Sequence, residues 1–321
     1  MAASQLVQPR PLGAAASASA GSRVSVLELY DDPHSEYSAK VKVALHAKGL
    51  AWTPLALPCG TTRSPEFRAV NPLGKIPALW VTFEDGRKEM LVESEVILEF
   101  LEDAFPAAPP LLPRDALARS KARLVSRFHD LYAEPALRQL YPQVAPSVRE
   151  PRVVQEAVAG FKERMSELAA LLPPVAAAAA AAPDASAAAG VGGSSSGNAF
   201  ALGALQPGGG LGLGDCAYPA LLLYAELILP VLELGTEPGA GRGRGLGSEP
   251  RPTADNGSGL VRGDEVRGRG LEGGRGMGAV YAAHPRLWAW RQALWGHPAV
   301  QEVFSELRPA AEEWVAMKLK Q

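Results

Sequence analysis

Asn71-Pro72-Leu73-Gly74-Lys75-Ile76-Pro77-Ala78-Leu79-Trp80 is the stretch that decides the fold. Two prolines five residues apart lack backbone donors and push the residues before them out of helical geometry. With Gly74 between them they exclude a helix and require a turn that feeds a strand, Ala78 to Phe83. Glu84-Asp85-Gly86-Arg87 then supplies a tight hairpin into a second strand, Lys88 to Val92. Ile97, Phe100, Leu101 and Ala104 follow on one face of a helix that starts at Ser94.

Working back from Asn71, Pro65 to Val70 is a short helical piece behind a polar loop, Cys59 to Ser64, and Trp52 to Leu57 is a strand. Before it, Tyr37, Val41, Ala44, Leu45 and Lys48 recur at helical spacing up to Gly49, a helix stop. Val24 to Tyr30 is β-branched and leucine-rich and ends in the turn Asp31-Asp32-Pro33-His34. Residues 24–106 therefore read βαβαββα.

After residue 106 the pattern changes. Pro109, Pro110 and Pro113 mark a linker at 107–113, and from 114 to 321 the periodicity is only helical. Leu117, Leu124, Phe128, Leu131 and Tyr132 trace one long helix, and Val154 to Leu172 a second with an apolar stripe. Asp215 to Leu234 is apolar nearly all round, as a central helix would be, and His284 to Trp290 and Val300 to Leu307 open two more. Low-complexity sequence at about 173–212 and 235–278 offers too little apolar surface to offset ordering, so both segments are expected to be disordered insertions. The fold class is α+β.

Composition removes several functions. With 32 basic and 34 acidic side chains, the 321-residue chain has no electrostatic footprint for nucleic acid or an anionic membrane. The Arg-Gly tracts at 242–245 and 267–270 have acidic residues interleaved and lack the aromatics that stack on bases. The longest apolar run, Cys216 to Ala225, is about half of a bilayer span. Two distant cysteines, Cys59 and Cys216, indicate a reducing compartment. Residues 1–23, rich in Ala and Ser and free of acid, read as a disordered tail or a short transit segment, which makes the location cytoplasmic or, with a transit segment, a chloroplast or other organelle.

The chemistry centres on Ser35-Glu36-Tyr37-Ser38, where strand gives way to helix. A serine hydroxyl and the free amides of a helix N-terminus together favour an anion. Taken alone, Ser35 or Ser38 reads better as a mere helix cap. Taken with two further motifs, Ser-x-Tyr-Ser at 35–38, Asn71-Pro-Leu-Gly-Lys-Ile-Pro-Ala-Leu and Glu93-Ser94-Glu95-Val96-Ile97 resemble, in this order, the cytosolic glutathione S-transferases of the serine type. Leu213-Gly214-Asp215-Cys216-Ala217-Tyr218-Pro219-Ala220-Leu221 is similar to the central helix of that family's C-terminal domain.

The resemblance implies a thioredoxin-like N-terminal domain followed by an all-α domain, a homodimer, and glutathione as co-substrate with no permanent cofactor or metal. It implies a cis Ile76-Pro77 peptide whose main chain pairs with the cysteine of glutathione. Glu93 and Ser94 would hold the γ-glutamyl end, and Lys75 and Arg63 the glycine carboxylate. Ser35 would be the catalytic donor to the thiolate, with Ser38 left to cap. Independently of the resemblance, Phe128, Tyr132 and Tyr141 could line an acceptor pocket between the domains, although the helical spacing of Phe128 fits plain core packing at least as well. The implied reaction is conjugation of glutathione to an electrophilic apolar small molecule. The alternatives are a glutathione-dependent isomerase and a non-catalytic dimerisation module.

Physical magnitudes allow this. An alkyl thiol titrates near 8.5, and lowering it by two units needs about 2.7 kcal/mol. A hydroxyl donating to an anion supplies about 1.5–3 kcal/mol and a helix N-terminus about 0.3–1 more. Glu36 is a departure, since such members often carry proline after the serine; a carboxylate there opposes a thiolate unless it points to solvent. His34, beside Pro33, is better read as an exposed turn residue than as a base, and no cysteine at the helix start supports thiol-disulfide exchange.

Overall fold

The computed structural model describes residues 23–172, 210–234 and 276–321. The tail or transit segment and most of both low-complexity segments lie outside the described residues. Residues 210–212 and 276–278, at the far ends of those segments, are described, and there Leu211 and Met277 are buried rather than part of loose insertions.

The N-terminal domain contains β1 (Val24–Tyr30), α1 (Glu36–Ala47), β2 (Thr53–Leu55), α2 (Pro65–Val70), β3 (Ala78–Phe83), β4 (Lys88–Val92) and α3 (Ser94–Ala104). The strands form one sheet in the order β2-β1-β3-β4. β1 runs parallel to β2 and antiparallel to β3, and β3 antiparallel to β4. This is the thioredoxin-like arrangement expected from the sequence. β2 is shorter than the expected Trp52 to Leu57, as suits a three-residue edge strand with Pro54 inside it.

The helical region consists of α4 (Ala116–Phe128), a π-turn (His129–Ala133), α5 (Glu134–Arg138), α6 (Pro151–Leu171), α7 (Leu213–Leu234), α8 (Met277–Ala283), α9 (Pro285–Gly296) and α10 (Pro298–Lys318). α7 is the centre. By length and composition it would cross a bilayer, yet most of it is buried inside the fold. A Cβ on Gly214 would stand 2.9 Å from a methyl of Val125, so only glycine lets α7 approach α4 this closely. Asp215, fully buried, is satisfied by Gly212 N–H at 2.7 Å and Trp290 Nε1–H at 2.6 Å.

The expected long helix from Leu117 to Tyr132 is corrected in two ways. α4 ends at Phe128 and passes into the π-turn, and Leu117, Leu124, Leu131 and Tyr132 are exposed. The buried face of α4 is made of Ala118, Ala122, Val125 and Phe128, small enough for α7 to come close.

α1 joins the two domains. It packs against α3 on one side and against α7 and α10 on the other. Hence Ala39, Val41, Val43, Ala44 and Leu45 are all buried. The 107–113 segment is a fixed strap. Lys48 Nζ reaches Glu102 at 2.8 Å and the Pro109 carbonyl at 3.1 Å, and Glu102 accepts from the Leu111 and Leu112 amides at 2.9 and 3.2 Å.

Candidate functional site

The strand register brings the sequence motifs together. Leu55, Tyr30, Ala78 and Val92 lie side by side in one row across the sheet. Tyr30 ends β1, Leu55 ends β2, Ala78 begins β3 and Val92 ends β4. The loop to Ser35, the loop carrying Arg63, the Lys75-Ile76-Pro77 turn and Glu93-Ser94 therefore all leave the sheet at the same end. The antiparallel sense of β3 is what brings residues before a strand together with residues after strands.

Each loop has a local reason for its shape. Asn71, buried, accepts from Leu73 N–H through Oδ1 at 3.0 Å and donates through Nδ2 to the Lys75 carbonyl at 2.7 Å, so one side chain spans the turn. Gly74 has φ +59, and a Cβ there would press on the Thr62 carbonyl at 3.2 Å. The Ile76-Pro77 peptide is cis. Glu93 has φ 68, a conformation that costs a non-glycine residue about 1–3 kcal/mol and clusters at functional sites. Arg63, Lys75 and Glu93 are exposed, and their charged groups have no partner among the described residues.

Ser35 is the N-cap of α1, which corrects the assignment of capping to Ser38. Its Oγ accepts from the Ser38 amide at 3.2 Å, while the Ser38 hydroxyl is buried without a partner. Capping uses a lone pair of Ser35 and leaves the O–H to donate elsewhere. His34 is exposed and turned to Asp32 at 2.9 Å, away from a role as base.

Residues 29–110 match the family model described as glutathione S-transferase, N-terminal domain. The N-terminal domain belongs to the glutathione S-transferase family. A maleylacetoacetate isomerase of Pseudomonas aeruginosa is 38% identical over 104 residues, 31% of this chain and 47% of that protein. A zeta class glutathione S-transferase of Euphorbia esula is 33% identical over 142 residues, 42% of this chain and 60% of that protein. The chain thus spans about half the length of the curated relatives it matches. The crystal structure of maleylacetoacetate isomerase from Anaeromyxobacter dehalogenans, with bound glutathione, superposes with a TM-score of 0.51 at 21% identity, covering 91% of this chain and 100% of that one. At that identity the likeness shows a shared two-domain glutathione S-transferase fold.

In this glutathione S-transferase fold the helical domain closes over residues 34–36. Tyr224 donates its hydroxyl to the His34 carbonyl at 2.9 Å, and Tyr141 donates to Oε1 of Glu36. Tyr141, Tyr224 and Trp314 pack edge to face or tilted, with ring centroids 5.4–6.1 Å apart. Of the three aromatics weighed for an acceptor pocket only Tyr141 is here. Phe128 is buried in the core, the place that its helical spacing fits at least as well, and Tyr132 is exposed. Tyr224 and Trp314 were not foreseen: one lies inside an apolar helix and the other near the end of α10, with no motif to mark either.

Glu36 also departs from expectation. Its carboxyl faces neither solvent nor an open site but the interdomain seam, buried, with Oε2 unpartnered. Burial is the chief cause that pushes its pKa up to about 8; the Tyr141 hydrogen bond and Arg138 pull it down and Glu134 pushes it up. At neutral pH it is mostly uncharged, so the opposition to a thiolate expected from a carboxylate is largely absent.

Proposed function

We propose that this glutathione S-transferase-family protein binds glutathione at the sheet end, holds its thiolate with the Ser35 hydroxyl, and directs it at an electrophilic carbon of an acceptor under the Tyr141–Tyr224–Trp314 wall. The single observation that carries this reading is the row Leu55–Tyr30–Ala78–Val92, because it gathers Ser35, Arg63, Lys75, Ile76-Pro77 and Glu93-Ser94 at one edge. By resemblance Ile76 pairs main chain with the cysteine of glutathione, Glu93 and Ser94 take the γ-glutamyl end, and Lys75 and Arg63 take the glycine carboxylate. Arg63, Lys75 and Glu93 are exposed and unpartnered among the described residues, which supports this, since each keeps its charge available. An aromatic wall favours an apolar acceptor.

A second reading within the same chemistry is isomerisation: the thiolate adds to a conjugated cis double bond, the resulting single bond rotates, and the thiolate leaves. The match to a maleylacetoacetate isomerase favours it. The family model ends at residue 110, before the helical domain that would hold the acceptor.

Retention on immobilised glutathione comes first, then turnover of a model electrophile and of a maleyl-type substrate by wild type and Ser35→Ala. Conjugation consumes glutathione in proportion to product, whereas isomerisation leaves it unchanged. Retention with equal activity in both proteins refutes the Ser35 role. Absence of retention leaves the fold as a dimerisation module. The face of Leu117, Leu124 and Leu131, spaced seven apart, each about half exposed or more and uncovered among the described residues, supports pairing with a second copy. Light scattering of Leu124→Glu tests it, with a monomer as the expected result.

A further inference from the structure

We infer that Glu36 is a positioning residue for Ser35, its buried carboxyl wedged between the first turn of α1 and Tyr141 of the helical domain. The inference rests on the glutathione reading above and goes beyond it, because it gives the C-terminal domain a hand in activating a thiol bound on the N-terminal one.

Three observations carry it. Glu36 is the residue after Ser35, with Cα atoms about 3.8 Å apart, so whatever fixes Glu36 fixes the peptide that aims the Ser35 hydroxyl. Its side chain leaves the helix surface and enters the seam, where the Tyr141 hydroxyl grips one oxygen and the other finds no partner among the described residues. The same segment is held a second time, through the His34 carbonyl by Tyr224, and Tyr141 and Tyr224 are ring neighbours. Ser35 is thereby bracketed on both sides by tyrosines of the other domain.

Burial is the chief reason this carboxyl stays neutral, and the groups that face it do not reverse that. From α5 come Glu134 and Arg138, which pair with each other, and from α1 itself comes Tyr37, whose hydroxyl goes to Glu134 at 3.1 Å. From the turn after α5 comes Tyr141, from α7 Tyr224, and from α10 the uncharged Trp314. No cation is dedicated to Glu36, because Arg138 is engaged by Glu134. A neutral acid at the first helical position leaves the α1 terminus to an incoming anion; an ionised one would compete with it.

The test is the pH profile of kcat/KM for conjugation of a model electrophile, together with the ultraviolet absorbance of bound thiolate. Wild type is expected to lose about three- to tenfold of its activity above pH 8 as Glu36 ionises beside the thiolate. Glu36→Gln keeps the shape and never ionises, so the alkaline fall disappears. Tyr141→Phe removes the bond that holds the carboxyl's pKa down, so the fall moves to higher pH. Glu36→Ala lowers kcat with little change in the KM for glutathione, and Gln restores it.

A readout independent of glutathione accompanies these. The folded protein holds the Glu36 proton up to about pH 8, whereas an unfolded chain releases it near 4.5. The folded state therefore binds more protons between those values, and stability falls as pH rises through that interval. Melting temperatures of wild type should show this slope and those of Glu36→Gln should lack it. If glutathione binds and Glu36→Gln keeps both the alkaline fall and the slope, the inference is overturned alone. If wild type does not bind glutathione, the glutathione reading fails and the inference falls with it.

Discussion

The charged side chains at the open end of the sheet and those along the seam between domains behave in opposite ways. Arg63, Lys75 and Glu93 are exposed and unpartnered among the described residues. Lys40, Lys42 and Lys48, all on or just after α1, are buried, and each is ion-paired: Lys40 with Glu95 at 2.7 Å and Asp130 at 3.1 Å, Lys42 with Asp31 at 2.8 Å and Glu306 at 2.5 Å, Lys48 with Glu102 at 2.8 Å. Charges that weld the fold are matched within it, while those at the open end of the sheet stay available for the ligand proposed above.

The largest effect expected from that contrast is at Lys40. Its two carboxylate partners are themselves mostly buried, and Ser126 adds a hydrogen bond to Glu95 at 2.6 Å. Lys40→Met would strand Glu95 without its cation and leave Asp130 to Arg127 and His129, and cost about 3–5 kcal/mol. A urea titration reads this as a lower midpoint. A shift of less than about 1 kcal/mol would mean that water reaches the seam and the contrast is false.

Ser35→Ala comes next and splits the two kinds of role in one residue. The cap accounts for about 1 kcal/mol of stability. Donation to a thiolate accounts for about 1.5–3 kcal/mol, or about 10- to 100-fold in kcat/KM. Ser38→Ala, which leaves the cap acceptor in place, should change neither by as much. Equal effects of the two substitutions on kcat/KM would place the donor wrongly.

Much of the fold was legible because its signals are local. Pro72, Gly74, Pro77 and Asp85-Gly86 dictate turns by their own backbone chemistry, and α2, β3 and β4 occupy the spans read from sequence. What failed was what depends on a distant partner. The leucines of α4 repeat at helical spacing, but periodicity does not say which stripe meets α7; the close approach at Gly214 selects the alanine side. Whether Ser35 or Ser38 caps α1 turns on where the first helical residue falls. The inward turn of Glu36 requires Tyr141, 105 positions later in the chain. The site residues were readable as motifs, yet their convergence came only with the register of four strands.

Glu93 sharpens the contrast with an effect of opposite sign. Its positive φ is strain that a glycine would relieve. Glu93→Gly should raise stability by about 1 kcal/mol while weakening glutathione binding, measured by melting temperature and by titration calorimetry. A substitution that stabilises the fold and harms the ligand identifies a residue kept for the site. Loss of both properties would make Glu93 an ordinary structural residue.

The smallest effects belong to Arg63 and Lys75, and their smallness is informative. Both are exposed and neither has a charged partner among the described residues, so alanine at either position should move stability by no more than about 0.5 kcal/mol. The attraction proposed between them and the glycine carboxylate of glutathione would act across solvent, where raising salt from 0.1 M to 1 M shortens the Debye length from about 10 Å to about 3 Å. The wild-type KM for glutathione should therefore rise severalfold with salt, and the double variant Arg63→Ala/Lys75→Ala should start high and respond less. Buried pairs such as Lys48–Glu102 are shielded from mobile ions by the protein around them, so the urea midpoint should respond to the same salt far less than KM does. A KM indifferent to salt, or equally sensitive in the double variant, would take both cations out of the site and leave glutathione, if bound, held by Glu93, Ser94 and the Ile76 main chain alone.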